Sequence, residues 1–132
     1  MRMRTALMTM LAAIVAFAGA TSFAHHGGAV EYDATKIIGP FTGTVTRFEF
    51  AYPHPRVHFD VKDDGGTVTQ WAALIRPTPA VLRKHGWNRE SMKPGDTIVV
   101  TMLPHKTVEN FGNMLRLTVN GTLLAESVRD LQ

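Results

Sequence analysis

Two adjacent histidines, His25 and His26, follow an apolar stretch that is typical of a secretory signal peptide. Cleavage after Ala24 would make His25 the first residue of the mature chain. A free α-amino group and the imidazole of the same residue can form a chelate around a divalent metal ion. The spacing therefore predicts metal-binding chemistry at the amino terminus.

Residues 1–24 have the three parts of a signal peptide. A basic start containing Arg2 and Arg4 is followed by an apolar run and then by small residues up to Ala24. Cleavage after Ala20 and an uncleaved membrane anchor are the alternatives. We expect a protein of the bacterial periplasm, or a secreted one, with no stable membrane span after cleavage.

The composition of the remaining chain excludes several classes of function. Without residues 1–24, 12 basic and 11 acidic residues give a net charge of +1, so no basic surface for nucleic acid is indicated. The absence of cysteine excludes disulfides, thiolate metal sites and cysteine nucleophiles. The remaining length of about 108 residues suits one compact domain.

Hydrophobic periodicity predicts three strands, a short helix and then two or three further strands. Val57, Phe59 and Val61 alternate with polar residues, as in a half-buried strand. Thr78-Pro79 begins a helix that closes at Gly86. The predicted strands are 41–50, 56–62, 67–75, 97–103, 114–119 and 122–124.

This order predicts a mainly β fold, a small five- to six-stranded, partly open barrel of the OB type with a short helix between strands 3 and 4. A small β-sandwich is the alternative. The expected organisation is a signal peptide (1–24), a leader (25–36), a single β-barrel domain (37–125) and a polar tail (126–132).

An OB barrel would bring distant histidines to one rim, because the loops after its first and fourth strands border the binding face. His54, between two prolines, is in the first of these loops, and His105, after Pro104, is in the second. The expected metal ligands are His25, His26, His54 and His105, with His58, Glu31 and Asp33 as possible additions.

Six histidines without any thiol suit Cu(II), Ni(II) or Zn(II). Copper(II) is the expected metal, since it has the highest affinity for an amine and imidazole ligand set, and zinc or no metal are the alternatives.

The leading hypothesis is a non-enzymatic periplasmic copper-binding module, whose partners are the metal ion and another periplasmic protein. The second is a metal-free binding or assembly module for a small molecule, a glycan or a protein partner. A metalloenzyme is a third, weaker hypothesis, and no catalytic residue is predicted.

A series of landmarks covers nearly the whole mature chain. They are His25-His26, Gly43, Val45, Phe48, Pro53-His54, Trp71, Leu82-Arg83, Gly86-Trp87, Arg89, Ser91–Asp96 and Pro104. In order and spacing they resemble a family of small exported bacterial proteins catalogued as a domain of unknown function, DUF6152. The resemblance implies no assigned activity. An acidic residue usually stands three positions after the tryptophan in this family, but Leu74 occupies that place here.

Overall fold

The computed structural model describes residues 31–125, which form six strands and one helix. The strands are β1 (Ile38–Glu49), β2 (Arg56–Lys62), β3 (Val68–Leu74), β4 (Thr97–Pro104), β5 (Phe111–Val119) and β6 (Thr122–Ala125), and the helix α1 is Pro79–Lys84. The helix lies between β3 and β4, as predicted. No helix within this part of the chain is long and apolar enough to cross a membrane.

Five strands close into a barrel, which confirms the OB-like fold class over the sandwich alternative. The neighbours run β3-β2-β1-β4-β5, and a parallel pairing of β3 with β5 closes the ring. This seam is short, because it joins only Ala72–Leu74 to Phe111–Asn113. The sixth strand adds to the outer edge of β5 as a hairpin.

The long strand β1 belongs to both halves of the barrel. Its first half pairs with β4 and its second half with β2, and a register shift between Val45 and Arg47 bends it. Close approach of β2 explains Gly43. A Cβ there would lie 2.7 Å from the Phe59 ring and 2.8 Å from the Asp60 carbonyl oxygen, closer than any side chain can pack.

The apolar face of each strand fills the barrel. Val57 and Phe59 are fully buried in β2, while Arg56, His58 and Asp60 are partly exposed on its outer face. This confirms the alternation read from the sequence. The largest fully buried side chains include Phe59, Ile75, Leu82, Met92, Ile98, Met102, Met114 and Leu117. Burial of each such side chain contributes roughly 1.5–3 kcal/mol to the free energy of folding, which stabilises a core without cysteine.

Helix α1 begins and ends as the sequence predicts. The Thr78 hydroxyl accepts a hydrogen bond from the Val81 N–H at 3.4 Å, Pro79 opens the first turn, and Gly86 follows the last turn with φ of 84°. Leu82 then packs into the barrel core.

Two predicted strand starts differ from the structure by three residues, while every other strand boundary agrees within one residue. Strand β1 begins at Ile38 rather than Phe41, and β5 begins at Phe111 rather than Met114. The early start of β5 results from its pairing with β3, a long-range contact that local periodicity does not record. Residues 1–24, the first half of the leader (25–30) and the polar tail 126–132 lie outside the described residues.

Candidate functional site

An open pocket of about 490 Å³ lies on the outer face of β2 and β3, beside the β4–β5 loop (residues 105–110). We call it the face pocket. It is lined by Arg56, His58, Gln70, Trp71, Ala72, Val108, Glu109, Asn110 and Phe111. Its volume is within the range of roughly 300–1,000 Å³ that is usual for small-molecule sites. The face of strands 2 and 3, with the loop between strands 4 and 5, is also where OB barrels bind their ligands.

At one end of the face pocket, the guanidinium of Arg56 lies over an aromatic ring. Its guanidinium carbon is 5.2 Å from the centre of the Phe111 ring. Cations at this distance from a ring face are attracted by the ring quadrupole. Arg56 is the first residue of β2 and Phe111 the first residue of β5, so the contact connects two strands that are not neighbours in the sheet.

In the middle of the floor, His58 stands opposite Ala72 and belongs to a three-residue polar cluster. Arg47 Nη2 lies 3.2 Å from His58 Nε2 and 2.7 Å from Glu49 Oε1. Burial, and next the charge of Arg47, hold the pKa of His58 below its ordinary value, against the opposing effect of Glu49. His58 Nε2 also lies 3.5 Å from Glu49 Oε1, which would require this nitrogen to donate. Because a guanidinium only donates, the shorter contact with Arg47 favours the neutral tautomer in which Nε2 accepts and Nδ1 carries the proton.

His105 organises the β4–β5 loop. Its Nδ1 accepts hydrogen bonds from the backbone N–H groups of Thr107 at 3.2 Å and Val108 at 3.0 Å. The backbone N–H of His105 donates to the Phe111 carbonyl, and this hydrogen bond closes the loop. At the loop's end, Asn110 has φ of 52°, and its carbonyl accepts from the Ala72 N–H of β3. The loop that forms the pocket wall is therefore fastened at both ends.

The chain preceding the barrel packs beside this loop. Tyr32 forms an isolated antiparallel bridge with His105, and only 4% of its surface is exposed. The two rings meet edge to face with centres 5.2 Å apart, and His105 lies 5.6 Å from Phe111. Burial, with a contribution from Glu31, raises the pKa of Tyr32. A continuous series of side-chain contacts thus lies next to the face pocket. We call it the rim cluster, and it consists of Tyr32, His105, Phe111 and Arg56.

The structure accounts for the predicted metal ligands unevenly. His25 and His26 lie outside the described residues, and His54 is exposed in the β1–β2 loop. Among residues 31–125, no three His, Cys, Asp or Glu side chains form a group that could hold a metal ion. Because two N–H groups occupy Nδ1 of His105, its neutral ring carries the proton on Nε2, and metal binding at either nitrogen would break this arrangement. His58 belongs to the polar cluster.

The two acidic candidates in the leader have local roles. Asp33 Oδ1 accepts from the Thr35 N–H at 3.0 Å and from its hydroxyl at 2.6 Å, and Asp33 pairs with Lys36 at 3.3 Å. These hydrogen bonds hold the pKa of the exposed Asp33 carboxyl below its ordinary value. Glu31 is exposed, and its backbone carbonyl accepts from the Lys106 N–H.

Several pocket residues were not singled out from the sequence as site residues. In the sequence, Arg56 stands out only as part of a polar strand face, and neither Gln70 nor the stretch Val108–Phe111 belongs to a motif that indicates binding. The available signal was positional, since outer residues of strands 2 and 3 line the binding face once an OB topology is accepted. The loop wall had no comparable signal.

Comparison with known proteins gives a family but no activity. The model of a family of unknown function (DUF6152) matches residues 12–115, which include every residue of the face pocket and of the rim cluster. This match confirms the resemblance seen in the sequence landmarks. No curated protein and no solved structure is significantly similar to this chain.

Proposed function

We propose that this chain, which belongs to the DUF6152 family, is an exported OB-type binding module that holds a small organic ligand in the face pocket without needing a metal. The observation that carries the proposal is the position of the pocket. It coincides with the strand 2–3 face and the strand 4–5 loop through which OB barrels bind their ligands.

The chemistry of the lining also supports ligand binding. Small-molecule sites combine apolar surface with a few fixed polar groups. Here Ala72, Val108 and Phe111 supply apolar surface, and Arg56 and His58 supply polar groups held by their neighbours. The pocket wall is also fastened in place by His105, which lowers the entropy lost on binding.

Amide chemical-shift mapping tests the proposal with four probes: a chitin trisaccharide, tri-galacturonate, benzoate and a short oligothymidylate. We expect saturable shifts that cluster at the face pocket for at least one of the three non-nucleotide probes. Ala72→Trp fills the pocket floor and should abolish them. Thr101→Trp places the same bulk on the outer face of β4 and should leave them unchanged. Absence of saturable shifts, shifts elsewhere, or undiminished binding by Ala72→Trp would overturn the proposal.

A second candidate, the copper(II) module, is favoured by one observation. The Asp33 N–H donates to the Pro104 carbonyl and the Lys106 N–H donates to the Glu31 carbonyl, so the segment preceding β1 runs beside the β4–β5 loop. Glu31, which follows His25 by six residues in the sequence, therefore lies beside this loop. The expected ligands are a mature amino-terminal His25 and the exposed His54.

Copper titration, with mass spectrometry of the mature terminus, tests this candidate. We expect His25→Ala and His54→Ala to weaken copper binding. His105→Ala should not, because the Nδ1 of that ring serves the backbone. Equal affinity of the wild type, His25→Ala and His54→Ala would remove the copper hypothesis, as would a mature chain that begins at Thr21.

A further inference from the structure

Arg56 is the one lining cation of the face pocket whose charge no described carboxylate balances. Within residues 31–125, its observed partner is the Phe111 ring, and none of the ion pairs includes it. A ring face attracts the charge but provides no oxygen or nitrogen acceptor, so the N–H donors of the guanidinium stay available to a ligand. A half-buried arginine held this way is prepared to accept a planar anion edge to edge.

The neighbouring groups add to this preference. Arg47 is paired with Glu49 at 2.7 Å and does not line the face pocket, so it offers no competing free charge there. Burial holds the pKa of His58 below its ordinary value, which disfavours the charged ring. His58 also lines the pocket, and because its Nε2 faces Arg47 at 3.2 Å and Glu49 at 3.5 Å, Nδ1 is the ring nitrogen that these two residues do not use. Glu109 is the only carboxylate among the lining residues, and it belongs to the exposed loop wall rather than to the strands.

Apolar surface lies next to Arg56. Ala72 forms part of the floor, and Val108 is one of the few large apolar side chains that remain half exposed, with 50% of its surface accessible. A ligand that carried only a small anion would leave this surface wet. A ring attached to the anion would cover it.

We propose that the ligand of the face pocket is a ring-bearing carboxylate, with the carboxylate bound edge to edge by Arg56 and the ring packed against Ala72 and Val108. This inference rests on the proposed function and names its ligand class. Arg56 is then the residue that determines specificity for acids, and His58 donates from Nδ1 to a further oxygen of the ligand. The ring belongs either to an acidic sugar or to an aromatic acid.

Two matched pairs of probes test the inference by titration followed through amide shifts. Tri-galacturonate is compared with its neutral methyl ester, and benzoate with benzamide, so that the two pairs distinguish a sugar ring from an aromatic one. For the pair that binds, we expect the acid to bind roughly 10- to 100-fold more tightly than its neutral partner, since a hydrogen-bonded charge pair is lost in the neutral compound.

The matched variants are Arg56→Gln and Arg83→Gln. Arg83 lies over the Phe50 ring at the same distance of 5.2 Å, but away from the face pocket, so its replacement removes an equivalent stacking contact. Arg56→Gln should erase the preference for the acid, and Arg83→Gln should retain it. The amide spectrum of each variant reports whether the barrel is intact, and Arg56→Lys provides a second variant that keeps the charge and should keep part of the preference.

The outcomes separate the two proposals. Equal binding of acid and neutral partner at the face pocket would overturn the carboxylate inference while leaving the binding module standing. An acid preference that survives in Arg56→Gln would also overturn it. Face-pocket shifts with the neutral chitin trisaccharide alone would overturn it as well. Failure of all three non-nucleotide probes to shift the face-pocket amides would refute the binding module itself.

Discussion

Replacing His105 should loosen the β4–β5 loop by a calculable amount. His105→Ala removes two hydrogen bonds to backbone N–H groups and two ring contacts, with Tyr32 and Phe111. The hydrogen bonds contribute about 0.5–1.5 kcal/mol each. The aromatic contacts contribute a further ~0.5–1.5 kcal/mol each. Since the freed N–H groups are exposed and water can reach them, we expect a total loss of about 2–4 kcal/mol in the free energy of unfolding.

His105→Asn separates the two contributions. An asparagine oxygen can accept from the N–H groups two and three residues ahead, so this variant keeps the loop hydrogen bonds and loses only the ring contacts. We expect it to retain about 1–2 kcal/mol of what alanine loses. Urea unfolding measures the global effect, and amide hydrogen exchange at Thr107 and Val108 measures the local one. His85→Ala, an exposed position after α1, is the control and should change stability by less than about 0.5 kcal/mol.

Equal instability of the alanine and asparagine variants would contradict this prediction, because the acceptor role of Nδ1 would then contribute nothing. Unchanged amide exchange at Val108 in His105→Ala would contradict it too. Either result would mean that the loop is held by other contacts.

Three further predictions concern pH and packing. Because burial lowers the pKa of His58, the unfolded chain binds more protons than the native one below pH 6.5, so the free energy of unfolding should fall as the pH decreases there. Urea unfolding at several pH values checks this, and His58→Gln should show a weaker dependence of stability on pH. Conversely, the raised pKa of Tyr32 means that the unfolded chain loses its proton first near pH 10.0, so stability should fall at higher pH, and Tyr32→Phe should remove this contribution in the same assay. Gly43→Ala should destabilise the barrel by roughly 1–3 kcal/mol, because its Cβ would overlap Phe59 and rigid backbone. The control is Gly65→Ala, whose nearest neighbour would be a side-chain oxygen at 3.3 Å, and a thermal melt should show a much smaller change for it.

The barrel itself was predictable because its signals are local. The alternation around Phe59, the turn before Thr67 and the cap at Thr78 each depend on residues near one another in sequence. Their order then leaves few topologies, of which the OB barrel is one.

The site was predicted less well because its signals are long-range. The proline before His105 favours a ligand role, but Nδ1 of this histidine accepts from N–H groups that follow it in the loop. The face pocket depends on the register that sets His58 opposite Ala72 and on the arrival of Phe111 beside β3. A one-residue slip of either strand would turn a different set of side chains outward, and no local pattern records that choice.

The parallel seam between β3 and β5 has a consequence for how the protein matures. It joins segments about forty residues apart, so the ring can close only after a large loop has been drawn together, and this class of topology folds in roughly milliseconds to seconds. Phe111, which helps to line the cavity, belongs to that seam, so the cavity is complete only when the ring has closed. A compound that binds there recognises only completed molecules, and by mass action it would draw newly made chains toward the finished state.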